Sequence, residues 1–187
     1  MLPRAVRYIL VAALALTSQM ASAEITENGK GLAFGKNHSY LIQAPKGWML
    51  DTESATGQGL FAVFYPKGSS WAEGDSVMYT NAAALDGRTA EQAIEKDADA
   101  LRKNSPDIKV TDGGTLATAD GKTATIKYFT GDKYGNYEAA AYVPEKLVMV
   151  NIILTARSKK AYEESLQPFK DLVASYQFYS QKVDIKK

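Results

Sequence analysis

The sequence predicts an α+β fold, a mainly antiparallel β-sheet covered by helices. Short runs rich in β-branched and aromatic residues recur along the chain, bounded by Gly, Pro, Asn and Asp. Tight-turn sequences such as Asp120-Gly121 and Pro144-Glu145-Lys146 stand between neighbouring runs, and hairpins make adjacent strands antiparallel. Two stretches, one in mid-chain and one near the end, instead carry apolar residues at helical spacing. A sheet with an apolar face needs a partner layer, and these helices are the available cover.

The chain opens with Arg4 and Arg7, an apolar run from Tyr8 to Leu16, and small residues up to Ala21-Ser22-Ala23. That order predicts a cleavable signal peptide over residues 1–23. The apolar run is far shorter than the roughly 20 residues that span a bilayer, so no membrane span is expected after cleavage. Residues 24–38 are polar and dotted with glycine, and read as a flexible lead-in, or an irregular first strand, ahead of a domain over 39–178. Within it, Tyr40 to Ala44 is a short strand, Pro45-Lys46-Gly47 a turn, and Trp48-Met49-Leu50 a second extended piece whose tryptophan packs in the core. Leu60 to Tyr65 and Ser76 to Leu85 are strands separated by a loop of turn residues that contains Trp71.

Thr89 followed by Gln92 has the spacing of a capping box, and starts a helix that buries Ala90, Ala93, Ile94, Ala98 and Leu101. Pro106 ends it. Ile108–Val110, Thr115–Ala119, Lys122–Thr130, Tyr137–Val143 and Leu147–Thr155 read as strands. The last is nearly all apolar, as suits a central strand covered on both faces. A second helix follows Ser158, with Tyr162, Leu166, Phe169, Leu172, Val173 and Tyr176 on its inner side and Pro168 expected to kink or divide it. Residues 179–187 read as a polar tail.

Taken together, Tyr40, Ile42, Pro45, Gly47 and Trp48 at the domain's start, the mid-chain helix, the hairpin meander and the terminal helix resemble the PsbP/Mog1-like superfamily. The resemblance implies an α/β/α sandwich and a non-catalytic accessory, assembly or binding role. It carries no particular partner with it, because a shared fold does not fix function.

Composition narrows the chemistry. The chain has 0 cysteines and 1 histidine, so cysteine catalysis is excluded and a Cys/His zinc site has too few ligands to draw on. A Ser-His-Asp triad would have to use His38, with no Gly-x-Ser-x-Gly elbow beside it; His38 reads as an exposed polar residue ahead of the first strand. Cleavage after Ala23 removes two arginines and no acid, moving the formal charge from +1 to −1. So even a balance predicts no nucleic-acid partner. Asp51, Glu53, Glu73, Asp75, Asp132 and Glu138 lie near strand ends and read as solvated turn residues; no metal, cofactor or catalytic residue is assigned.

Aromatic residues are the distinctive feature. Trp71 sits in a loop with little apolar company, where it would serve either as a binding anchor or as a lid folded back over the sheet. Tyr134 and Tyr137, flanking Gly135-Asn136, form a second candidate partner-binding patch. The leading expectation is a periplasmic or secreted, non-enzymatic accessory or assembly protein that binds another protein of the cell envelope. The alternative is a periplasmic protein that binds a small ligand or divalent cation, and a third class is a hydrolase that works with carboxylates alone.

Overall fold

The computed structural model describes residues 25–35, 38–56 and 58–181. The expected signal peptide and residues 182–187 of the expected tail lie outside them. In chain order the strands are β1 (Ile25–Glu27), β2 (Lys30–Gly35), β3 (His38–Gln43), β4 (Trp48–Asp51), β5 (Ala62–Pro66), β6 (Ser76–Ala84), β7 (Lys109–Ala117), β8 (Thr123–Thr130), β9 (Tyr137–Pro144), β10 (Val148–Ala156) and β11 (Gln177–Ser180). The helices are α1 (Glu53–Thr56), α2 (Ala90–Asn104) and α3 (Lys159–Ala174).

Eight strands form one antiparallel sheet in the order β1-β4-β5-β6-β10-β9-β8-β7, and β11-β3-β2 form a smaller one. A strand sends successive side chains to opposite faces, and β10 shows why its sequence is apolar throughout. Val148, Val150, Ile152 and Leu154 enter one core, where Phe169, Leu172 and Val173 of α3 meet Tyr40 and Ile42 of β3. Met149 and Ile153 enter a second core with Ile94, Ala98 and Leu101 of α2.

The local start signal of α2 forms as read. The Gln92 N–H donates to Thr89 Oγ1 at 3.3 Å, and the Thr89 N–H donates to Gln92 Oε1 at 2.9 Å. The Asp120-Gly121 turn also forms, though as a three-residue connection: Thr118 N–H pairs with the Lys122 carbonyl, and Gly121 takes the left-handed conformation at φ 78. Ile108–Val110 and Thr115–Ala119 are one strand rather than two, joined through a bulge at Gly113-Gly114 where the register with β8 skips from Asp112 to Thr115. Helix α3 runs through Pro168 undivided, since burial of Phe169, Leu172 and Val173 just beyond it offsets the one backbone bond that proline cannot donate.

Strands occupy parts of both flanks. Residues 25–27 pair with β4 and 30–35 pair with β3. The glycines hide an apolar run, Leu32-Ala33-Phe34, whose Ala33 and Phe34 are buried. Nor is His38 exposed: it begins β3 at 1% exposure, with its ring edge-on to Phe61 at 5.0 Å. At the other end β11 pairs with β3, and the Ser39 hydroxyl donates to the Ser180 carbonyl at 3.0 Å, so the domain extends past 178.

Candidate functional site

The structure buries Trp71 and leaves Tyr134 and Tyr137 together at the turn between β8 and β9. Trp71 does not stand out as an anchor. It is 8% exposed and packs edge-on to Tyr79, ring centroids 6.0 Å apart, in the α2-side core. Its loop curls back because the Gly74 N–H reaches the Ser70 carbonyl at 2.9 Å, and a Cβ at Gly74 would come within 3.1 Å of Ser69, Ser70 and Ser76 atoms. The lid alternative describes this geometry.

Tyr134 is 57% exposed. Its loop is held by Asp132, whose Oδ1 accepts the backbone N–H groups of Tyr134 at 3.0 Å and Asn136 at 2.7 Å, while Ser105 Oγ accepts the Lys133 N–H. The Lys133 ammonium lies 5.1 Å from the Tyr134 ring centroid. Tyr137 is half-buried and packs on Tyr162 of α3 at 5.9 Å, with Tyr128 edge-on from β8. Burial, and then the neighbouring Tyr128, push the Tyr162 phenol above its ordinary 10.0.

The carboxylates divide. Glu53, Glu73 and Asp75 are exposed, as expected of turn residues. Asp51 and Glu138 are not, at 2% and 1% exposure. Asp51 caps α1, accepting from the Ser54 N–H and hydroxyl at 2.8 and 2.7 Å and from the Tyr65 hydroxyl at 3.2 Å; burial, then this carboxylate, push the Tyr65 phenol up to about 12. Glu138 accepts from the Thr155 hydroxyl at 3.1 Å. Among the described residues, no group of three or more His, Cys, Asp or Glu is arranged to hold a metal ion.

A cleft of about 60 Å³ opens between α2 and the large sheet. Small residues create it: Ala93 and Ala100 on α2 face Ala83 and Ala84 of β6. Beneath them a transverse polar row crosses the sheet, Asn81 opposite Asn151 and Asn151 opposite Tyr142. Asn151 Nδ2 donates to Asn81 Oδ1 at 2.9 Å, and the Tyr142 hydroxyl donates to Asp97 of α2 at 2.5 Å. Two cleft-lining groups are buried without a partner, Asn151 Oδ1 and Arg88 Nε. Sequence reasoning missed this place. Asn151 inside an apolar strand and Asp97 among the inner alanines of α2 were the available signals.

The large antiparallel sheet with one helix in mid-chain and another near the end can now be set beside known structures. The solution structure of cyanobacterial PsbP (CyanoP) from Synechocystis sp. PCC 6803 aligns over 86% of this chain and 95% of its own, with a TM-score of 0.50 and 15% sequence identity. The chain has a PsbP-like fold. No protein-family model and no curated protein sequence matches it. The PsbP half of the resemblance therefore holds at the level of fold.

Proposed function

We propose that this PsbP-like chain is an exported, non-enzymatic accessory or assembly protein that docks on another protein of the cell envelope. The PsbP-like architecture carries this reading, together with the α/β/α sandwich in which we interpret the two cores as the spaces between layers. The signal-peptide pattern of residues 1–23 supports export. Among the described residues no helix is long and apolar enough to cross a membrane.

Tyr134 is the docking residue we assign. An amphipathic ring held out on a loop that Asp132 has already ordered loses little conformational freedom when a partner covers it. Tyr137, beneath the same loop on β9, supports the patch through its packing on Tyr162. The test is capture of the tagged mature chain with its partner from the native envelope, for the parent and for Tyr134→Ala. We expect reproducible capture of one protein and a loss of roughly tenfold or more in the variant, the scale of an interface anchor. Capture that Tyr134→Ala leaves unchanged would contradict the assignment.

A further inference from the structure

We propose that Asn28-Gly29, the turn between β1 and β2, is a deamidation site gated by the neighbouring β3–β4 turn. While that turn is closed the asparagine is held unreactive. Once it opens, the side chain converts to aspartate or isoaspartate, and isoaspartate keeps β1 from returning to β4. This site lies in the N-terminal strands and does not depend on docking through Tyr134.

Packing dictates both residues of the pair. Position 28 takes φ 50, a left-handed conformation that asparagine tolerates better than most side chains. Its Oδ1 also accepts the Gly47 N–H at 2.8 Å, which ties the β1–β2 turn to Pro45-Lys46-Gly47 between β3 and β4. Position 29 has no room for a side chain, because a Cβ there would lie 2.4 Å from Thr26 Oγ1. Asn28 is the one asparagine in the sequence that precedes glycine. That order is the most reactive, since no side chain shields the glycine nitrogen and the glycine backbone turns freely toward its neighbour.

In the reaction, the Gly29 backbone nitrogen gives up its proton and attacks Asn28 Cγ. The N–Cγ bond forms, the Cγ–Nδ2 bond breaks, and Nδ2 takes up a proton and leaves as ammonia. Water then opens the five-membered succinimide at one carbonyl or the other, giving aspartate or isoaspartate with no oxidant or reductant involved. The closed fold opposes the first step. The Asn28 side chain is directed away to Gly47, the Asn28 N–H donates to the Trp48 carbonyl at 2.9 Å, and the Ala44 N–H donates to the Gly29 carbonyl at 2.8 Å. The amide cannot swing onto its own backbone without giving up the Gly47 bond, and the peptide between the two residues is pinned on both sides. Opening of the β3–β4 turn releases all three bonds, because Ala44, Gly47 and Trp48 belong to it or border it. Aspartate closes again, since a carboxylate oxygen accepts the Gly47 N–H as the amide did. Isoaspartate adds a methylene to the main chain where Gly29 already crowds Thr26, so Glu27 loses its register with Met49.

The test incubates the mature chain in mildly alkaline buffer and reads aspartate and isoaspartate at position 28 by mass-spectrometric peptide mapping. A synthetic peptide of residues 26–32 is the unfolded reference. Expected is conversion in the folded chain at least about tenfold slower than in the peptide, rising to the peptide's rate in urea that unfolds the chain. Gly47→Ala strains a backbone held at φ 76 and should speed conversion without urea by roughly tenfold; where that variant does not fold, the urea comparison carries the test. The purified isoaspartate form should show faster amide hydrogen exchange over 25–27 and 49–51, while Asn28→Asp matches the parent. Conversion in the folded chain at the peptide's rate, a folded Gly47→Ala variant no faster than the parent, or unchanged exchange in the isoaspartate form would overturn the proposal.

Discussion

His38 shows how one buried side chain couples this fold to pH. Its two ring nitrogens have no hydrogen-bond partner, and burial lowers its pKa from the ordinary 6.5 to about 4. Between those values the unfolded chain binds a proton that the folded chain refuses. Stability is thus unaffected above pH 6.5 and declines as pH falls from 6.5 toward 4, by on the order of 3 kcal/mol in all. Denaturation midpoints measured across that window should fall for the parent and flatten in His38→Phe. Equal slopes would show that the imidazole is not the source. Trp71 and Tyr134 give the complementary contrast. Trp71→Ala should cost about 3–5 kcal/mol of stability, as truncation of a core aromatic does, while Tyr134→Ala should stay within about 0.5 kcal/mol. Chemical denaturation of the two variants checks the order. Both residues sit in glycine-rich loops, so nothing local in the sequence separates the buried ring from the exposed one.

The elements that were legible in the sequence are those whose instructions lie within a few residues. Thr89 and Gln92 start α2, and Asp120-Gly121 turns β7 into β8, because each signal closes its own hydrogen bonds. Thr89→Ala should therefore cost about 1 kcal/mol, measurable in the same denaturation experiment. What was not legible depends on distant pairing. β11 became a strand because it reaches β3 near the opposite end of the chain, with the Ser39–Ser180 bond spanning 141 residues. The same closure uses a buried cluster in which Glu145 accepts from the Tyr176 hydroxyl at 2.7 Å and pairs with Lys122, whose ammonium also lies 4.2 Å from the Phe178 ring centroid. Burial and then this carboxylate push the Tyr176 phenol above its ordinary range. Glu145→Ala leaves the Tyr176 hydroxyl without its acceptor and Lys122 with only Asp120, 3.9 Å away, and should destabilise the chain by about 2–4 kcal/mol. A loss below 1 kcal/mol would mean that solvent replaces the carboxylate.

For the whole molecule, the PsbP-like fold is reached at 15% identity, and in this chain it rests on an apolar central strand, antiparallel neighbours on either side and helices that bury their small and aliphatic faces. Polar side chains gather at two places outside that apolar pattern. In this chain they form the Asn81–Asn151–Tyr142 row beneath α2 and the Asp132-ordered loop that carries Tyr134. The docking role proposed above places this loop against a partner in the envelope. The most direct measurement is in-cell photocrosslinking from a benzophenone side chain placed by Tyr134→p-benzoylphenylalanine, with Glu73→p-benzoylphenylalanine on the Trp71 loop as the comparison, and mass spectrometry of the products. One reproducible crosslinked protein is expected from position 134 and a much weaker yield from position 73; equal yields from both, or none from position 134 in the folded, exported chain, would rule out docking through Tyr134.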